Sequence, residues 1–237
     1  MGHDPEAWWL DETATAGREH FDNDHARRYD AKEDARPDDE ITLLRQLGVV
    51  GPRSCVVDLG AGTGQFALAA ARHYGRVVAV DVSPVMLGRL REKVADARAA
   101  NVEVVQAGFL TYQHHGSPAD AVYSRLALHH LPDFWKALAI ARVAKMLRPG
   151  GVFRLSDVVY SFAPHDADER IERWISDTTA ADIDGGWTRA ELAEHVRDEH
   201  STFTWLLEQM IERAGLDIVD ADYSADRMVA RYVCEKR

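Results

Sequence analysis

Val56-Val57-Asp58-Leu59-Gly60-Ala61-Gly62-Thr63-Gly64-Gln65 is the stretch on which the reading of this 237-residue chain turns. An apolar, β-branched run enters a turn with glycines at alternate positions, and a helical pattern begins directly after it. Such glycines let backbone come close to a ligand where a side chain would stand in the way. A dinucleotide-binding turn wants its third glycine at position 65, where this chain has glutamine. A phosphate-cradling P-loop wants a Gly-Lys-Ser/Thr ending, which is absent. The turn therefore predicts close approach to a small ligand without a phosphate cradle, beside a carboxylate, Asp58, that can meet a cation or an amine.

Outward from this turn, strands and helices alternate. Arg76-Val77-Val78-Ala79-Val80-Asp81 is a second β-branched run ending in a carboxylate. At the end of a second strand in a βαβ unit, such a group faces the crevice and can accept from both hydroxyls of a ribose. Ser83-Pro84 caps and opens the next helix, expected over 84–99, with Met86, Leu90, Val94 and Ala97 at helical spacing. Asp38 is expected to cap a short helix carrying Ile41, Leu44 and Leu47, and a helix is expected over 66–74. Further strands are expected over 102–106, 119–124, 152–159, 216–221 and 228–234. A helix from Asp133 stops at Arg148-Pro149-Gly150-Gly151. This order predicts a doubly wound, mainly parallel α/β sheet. Residues 1–37 are expected to form an N-terminal helical lid segment, 38–237 the main domain, and about 160–205 a helical insertion after the fifth strand.

Composition narrows the partners. Hydrophobic residues make up 46% of the chain, enough for a sizeable core. Asp and Glu outnumber Lys and Arg by 39 to 28, for a net charge of −11, which opposes a nucleic-acid partner. Cys55 and Cys234 have no metal-type spacing and read as buried thiols of a reducing compartment. No apolar segment of membrane-spanning length occurs, and the first residues lack the order of a signal peptide. The expectation is a cytoplasmic monomer or homodimer, without membrane or nucleic-acid partners.

The glycine turn, the Asp81 strand end and three further segments resemble the class I S-adenosylmethionine-dependent methyltransferases, in the small-molecule type of the ubiquinone/menaquinone enzymes. Those segments are Leu128-His129-His130-Leu131-Pro132-Asp133, Arg148-Pro149-Gly150-Gly151 and Ala26-Arg27-Arg28-Tyr29-Asp30. The resemblance implies seven strands, the last inserted antiparallel between the fifth and sixth. It implies S-adenosylmethionine as cofactor, S-adenosylhomocysteine as product, and a small-molecule methyl acceptor. It puts Gly60, Ala61, Gly62 and Gly64 against the methionine part, Asp58 near its amino group and Asp81 on the ribose. Tyr29, Val82, Met86, Gly108, Phe109 and Arg125 complete the implied cofactor contacts. One departure stands out. Relatives carry a Gly-Asp pair after strand three whose Asp accepts from the adenine amine, whereas this chain reads Ala107-Gly108-Phe109.

For the acceptor side, His129 and His130 follow strand four, where the crevice lies, and a histidine there can take a proton near neutral pH. His129 is the first catalytic candidate and His200 the second. His195, Glu199 and His200 read either as a metal set or as a solvated helix face; the latter is the expectation, so no metal is assigned. Thr188 with Glu191 fits a capping box. A methyltransferase acting on a macromolecule, or a cofactor-binding regulator of the same fold, are the alternatives to a small-molecule enzyme.

Overall fold

The computed structural model describes residues 8–16, 35–181 and 187–237. Helices are α1 (Glu12–Thr15), α2 (Pro37–Gln46), α3 (Gln65–Ala70), α4 (Pro84–Asp96), α5 (Asp133–Met146), α6 (Ala167–Ala181), α7 (Arg189–Asp198) and α8 (Thr204–Arg213). Strands are β1 (Cys55–Leu59), β2 (Arg76–Asp81), β3 (Val102–Gln106), β4 (Ala119–Arg125), β5 (Leu147–Tyr160), β6 (Thr202–Phe203), β7 (Leu216–Tyr223) and β8 (Val229–Lys236).

The main sheet runs β3-β2-β1-β4-β5-β8-β7, and the short β6 adds beside the end of β5. The first five strands are parallel, and β8 lies antiparallel between β5 and β7. This is the expected doubly wound order, with a two-residue strand added. Period-2 alternation sends Val57, Leu59, Val78, Val80 and Val122 to one face, where Ile140 and Val143 of α5 and Ile211 of α8 cover them. Val56, Val77, Ala79 and Ala121 face the other way, onto Leu44 of α2, Phe66 and Ala70 of α3, and Leu87 and Leu90 of α4. Cys55 and Cys234 are both buried free thiols.

Several local expectations change, and one is that β5 begins at Leu147, so Arg148-Pro149-Gly150-Gly151 lies within that strand and not before it. Asp38 lies within the first turn of α2, whose start is set by left-handed Arg36 (φ 44°) and Pro37 at the first helical position. Helix α3 stops at Ala70 because the chain must turn for Gly75 and Arg76 to donate to the Ser54 carbonyl and enter β2. Helix α4 ends at Asp96, and left-handed Arg98 turns the chain toward β3. In the insertion, the Thr188–Glu191 capping box is formed, and β6 returns the chain to the sheet against Val159 and Tyr160. Among the described residues, no helix is long and apolar enough to cross a membrane.

Candidate active site

The strand order reverses between β1 and β4, which opens a crevice at their carboxyl ends. The glycine turn lies at this switch point in the left-handed region, with φ of 77° at Gly60, 52° at Gly62 and 85° at Gly64. A side chain at Gly60 would strike the Ala127 methyl, so the loops after β1 and β4 close on each other there. At Gly64 it would strike Leu90, so that glycine serves the packing of α4 against the turn. Asp81 holds the turn from below: Gly62 N–H and Ser83 N–H each donate to its carboxylate at 2.8 Å. The Ser83 hydroxyl in turn caps α4 by accepting from Met86 N–H at 3.1 Å.

Two cavities meet at Gly60 and Gly62. The first is lined by Asp81, Val82, Met86, Gly108 and Phe109 together with Leu126, His130 and Leu131. Glu12, Thr15 and Ala16 of the N-terminal segment close its end. The second cavity is lined by Asp58, Ala61, Thr63, Tyr123 and Arg125 among others. Asp58 is 2% exposed. Burial, helped by the charge of Asp81, pushes its pKa up to about 8. Its Oδ2 and the Tyr123 hydroxyl are buried without a hydrogen-bond partner. Buried polar atoms cost free energy until they are partnered. This cavity therefore suits a ligand that brings a polar or cationic head.

Beyond His130 lies a buried chain of titratable groups. His129 is 5% exposed, and its ring centroid is 4.3 Å from that of His130. Asp157 of β5 pairs with His129 Nδ1 and accepts from its backbone N–H at 3.1 Å. Glu199 Oε2 meets His129 Nε2 at 3.0 Å and also pairs with His195 Nδ1. Burial pulls the His129 imidazole down, but Asp157 and Glu199 more than reverse this and raise its pKa to about 10. Burial acts to raise Glu199, yet the hydrogen bonds from His129 and His195 hold it well below the usual carboxylate range. His129, His195 and Glu199 offer ligand atoms within 4.8 Å of one another, so the set could also hold a metal ion.

The segment that carries Glu199 is clasped to α5. His200 N–H donates to the His129 carbonyl at 3.0 Å, and buried Lys136 donates to the His200 carbonyl and to Asp133. The Thr202 hydroxyl donates to the other Asp133 oxygen at 3.2 Å.

Comparison with known proteins agrees with this architecture. A methyltransferase-domain family profile matches residues 56–151, from β1 into the start of β5. Residues 56–151 are thus similar to a methyltransferase domain. The chain is 30% identical to phosphoethanolamine N-methyltransferase 2 of Caenorhabditis elegans across 48% of its own length and 26% of that protein's. It is 33% identical to demethylmenaquinone methyltransferase of Shouchella clausii across 46% of each chain. The chain thus spans about a quarter and about half of these relatives. The crystal structure of the N-methyltransferase NodS from Bradyrhizobium japonicum, in complex with S-adenosylhomocysteine, superposes with a TM-score of 0.61. That match has 19% identity and covers 96% of this chain and 99% of that one, which is a likeness of fold.

Within the matched region, the expected cofactor residues divide between the two cavities. Val82, Met86, Gly108, Phe109 and Asp81 line the first, Asp58, Ala61 and Arg125 line the second, and Gly60 and Gly62 line both. Gly64 lines neither and packs on Leu90. Tyr29 lies outside the described residues. Of the acceptor-side candidates, His130 faces the first cavity, while His129 lies behind it. His200 contributes its backbone, and its residue as a whole is exposed. The metal alternative changes membership, since His129 replaces His200 beside His195 and Glu199.

Sequence reading missed Asp157, Lys136 and Glu12. Asp157 carried a signal, a carboxylate interrupting the apolar run of the fifth strand at Ser156-Asp157. Lys136 and Glu12 carried none, because the His200 carbonyl and the Leu110 N–H that they meet lie 64 and 98 residues away in sequence.

Proposed function

We propose that this protein transfers a methyl group from S-adenosylmethionine to a small-molecule acceptor. The observation that carries this reading is the pair of cavities joined at the glycine turn, with a buried, unpartnered Asp58 oxygen in one and Asp81 in the other. The fit is chemical. The cofactor's amino-acid end brings an ammonium for Asp58 and a carboxylate for the side of Arg125, and its ribose brings hydroxyls for Asp81. The apolar walls at Val82, Met86 and Phe109 suit an adenine face.

When bound, the cofactor supplies an activated methyl group on a sulfonium, so the protein's work is alignment and exclusion of water. Alignment alone can lower a barrier by about 7–11 kcal/mol. His130 lies on the wall where an acceptor could meet the cofactor. His129 keeps its proton at neutral pH between Asp157 and Glu199, so it serves as a fixed cation and donor that orients this wall.

The net charge of −11 supports a small acceptor over a nucleic acid. The curated relatives named above, a phosphoethanolamine and a demethylmenaquinone methyltransferase, bear names of small-molecule substrates. The test is release of S-adenosylhomocysteine from S-adenosylmethionine in the presence of panels of amines, phenols and quinols, and thiols. Acceptor-dependent release with one such class is the expected result. Methylation of a protein or nucleic acid alone, or cofactor binding without turnover across a broad acceptor panel, would count against the reading.

A further inference from the structure

The loop after β3 is capped by a residue that does not belong to it. At Gly108-Phe109-Leu110-Thr111 the chain makes a tight turn, closed by Tyr112 N–H donating to the Gly108 carbonyl at 2.9 Å. A side chain at the first position of such a turn commonly accepts from the N–H groups two and three residues on. Position 108 is glycine, and Glu12 does this instead. Its carboxylate accepts from Leu110 N–H at 3.0 and 3.1 Å, from Thr111 N–H at 3.1 Å and from the Thr111 hydroxyl at 3.1 Å. The Thr111 oxygen accepts in return from Gly108 N–H at 2.8 Å, the reciprocal half of a capping box.

The coincidence in space is close. A Cβ built on Gly108 would meet the Glu12 carboxylate, with Oε2 2.6 Å away. Glu12 therefore occupies the volume of the side chain that position 108 lacks. It is 7% exposed and shares the first cavity with Asp81, Val82, Met86 and Phe109. Burial raises its pKa, and hydrogen bonds from Leu110 and Thr111 work against that rise. All four of these contacts are donors to it, as an ionised carboxylate requires. A carboxylate has two oxygens and about four acceptor sites, and Oε1 carries a single hydrogen bond among the described residues, from Leu110 N–H, so Glu12 has acceptor capacity for a ligand in the cavity it lines.

We propose that Glu12 is the acceptor that recognises the exocyclic amine of the cofactor's adenine, supplied by the N-terminal segment in place of a side chain at position 108. The inference rests on the cofactor reading given above. It makes the first cavity selective for a base that presents an N–H donor at that edge. It also makes the N-terminal segment part of the cofactor site.

Calorimetric titration with two ligands tests it: S-adenosylhomocysteine, and S-inosylhomocysteine, in which a carbonyl oxygen replaces the amine. The wild-type chain should prefer the adenine ligand by roughly ten- to hundredfold, the range of one hydrogen bond to a charged acceptor. In Glu12→Gln the amide can present either a donor or an acceptor, and the preference should collapse toward unity. Glu12→Ala combined with Gly108→Asp should restore it, because removing Glu12 opens the volume a new side chain needs. A purely structural cap would weaken both ligands alike and leave their ratio unchanged, which would overturn the proposal. So would a wild-type chain that binds both ligands equally, with the cofactor reading left standing. Failure of the wild-type chain to bind S-adenosylhomocysteine at all would remove the cofactor reading, and this inference with it.

Discussion

At Asp58, strand β1 carries a carboxylate into a fully buried position beside a second carboxylate, Asp81. Its pKa of about 8 in the folded chain, against an ordinary 3.8, means that the native state holds a proton which the unfolded chain has lost over that interval. Stability of the ligand-free protein is therefore reduced by this group as pH rises from about 4 to about 8. Asp58→Asn should melt higher than the wild type, with the difference growing across that window and levelling above it. The same variant should bind S-adenosylhomocysteine more weakly, since the ammonium loses its counter-charge. A melting difference that does not change with pH would remove the buried-charge account. Asp58 was legible in the sequence from its place before the glycines. Its cost was not, because burial of a side chain depends on what the other strands place around it.

On the scale of elements, the crevice is assembled by strand ends and tightened by long-range clasps. Strands β1, β2 and β4 each deliver a polar residue at the carboxyl end; the β-branched run ending at Asp81 placed that residue there, and the family resemblance placed Arg125. The helical insertion was harder to read, since its polar residues serve partners in other elements. Lys136 of α5 holds the His200 carbonyl, and Glu199 after α7 reaches His129 after β4. The His129 pairing is present in full below the unfolded histidine pKa near 6.5 and is lost as pH rises through about 10. Asp157→Asn leaves this buried imidazole short of one carboxylate and should cost about 3–5 kcal/mol at pH 7, the range for breaking a buried ion pair. Chemical denaturation should show that cost shrinking between pH 7 and pH 10. A pH-independent difference would mean that packing, and not charge, is what the substitution removes.

Taken whole, the molecule is a doubly wound sheet whose first cavity is lined in part by residues from its N-terminal segment. Alternation of apolar runs and helical spacing made the mainly parallel, doubly wound class readable, whereas the seven-strand order with its antiparallel last strand was implied only by the family resemblance. The N-terminal contribution was readable only as a lid of unknown contacts, since poor periodicity gives no register. In the structure Trp8 and Trp9 pack on Trp135, with ring centroids 5.8 Å apart in each pair, and Glu12 enters the first cavity. Hydrogen exchange of residues 8–16 and 108–112 should slow together when S-adenosylhomocysteine is added, as expected of a low-stability segment fastened by ligand. Equal protection with and without ligand would make the segment ordinary core. The most direct measurement is calorimetric titration of the purified chain with S-adenosylhomocysteine, alongside Asp81→Ala. The account predicts saturable one-to-one binding that weakens by about 1.5–3 kcal/mol in the folded variant, the range for hydrogen bonds to a charged group. Absence of binding by the wild-type chain, or equal affinity in the two proteins, would contradict it.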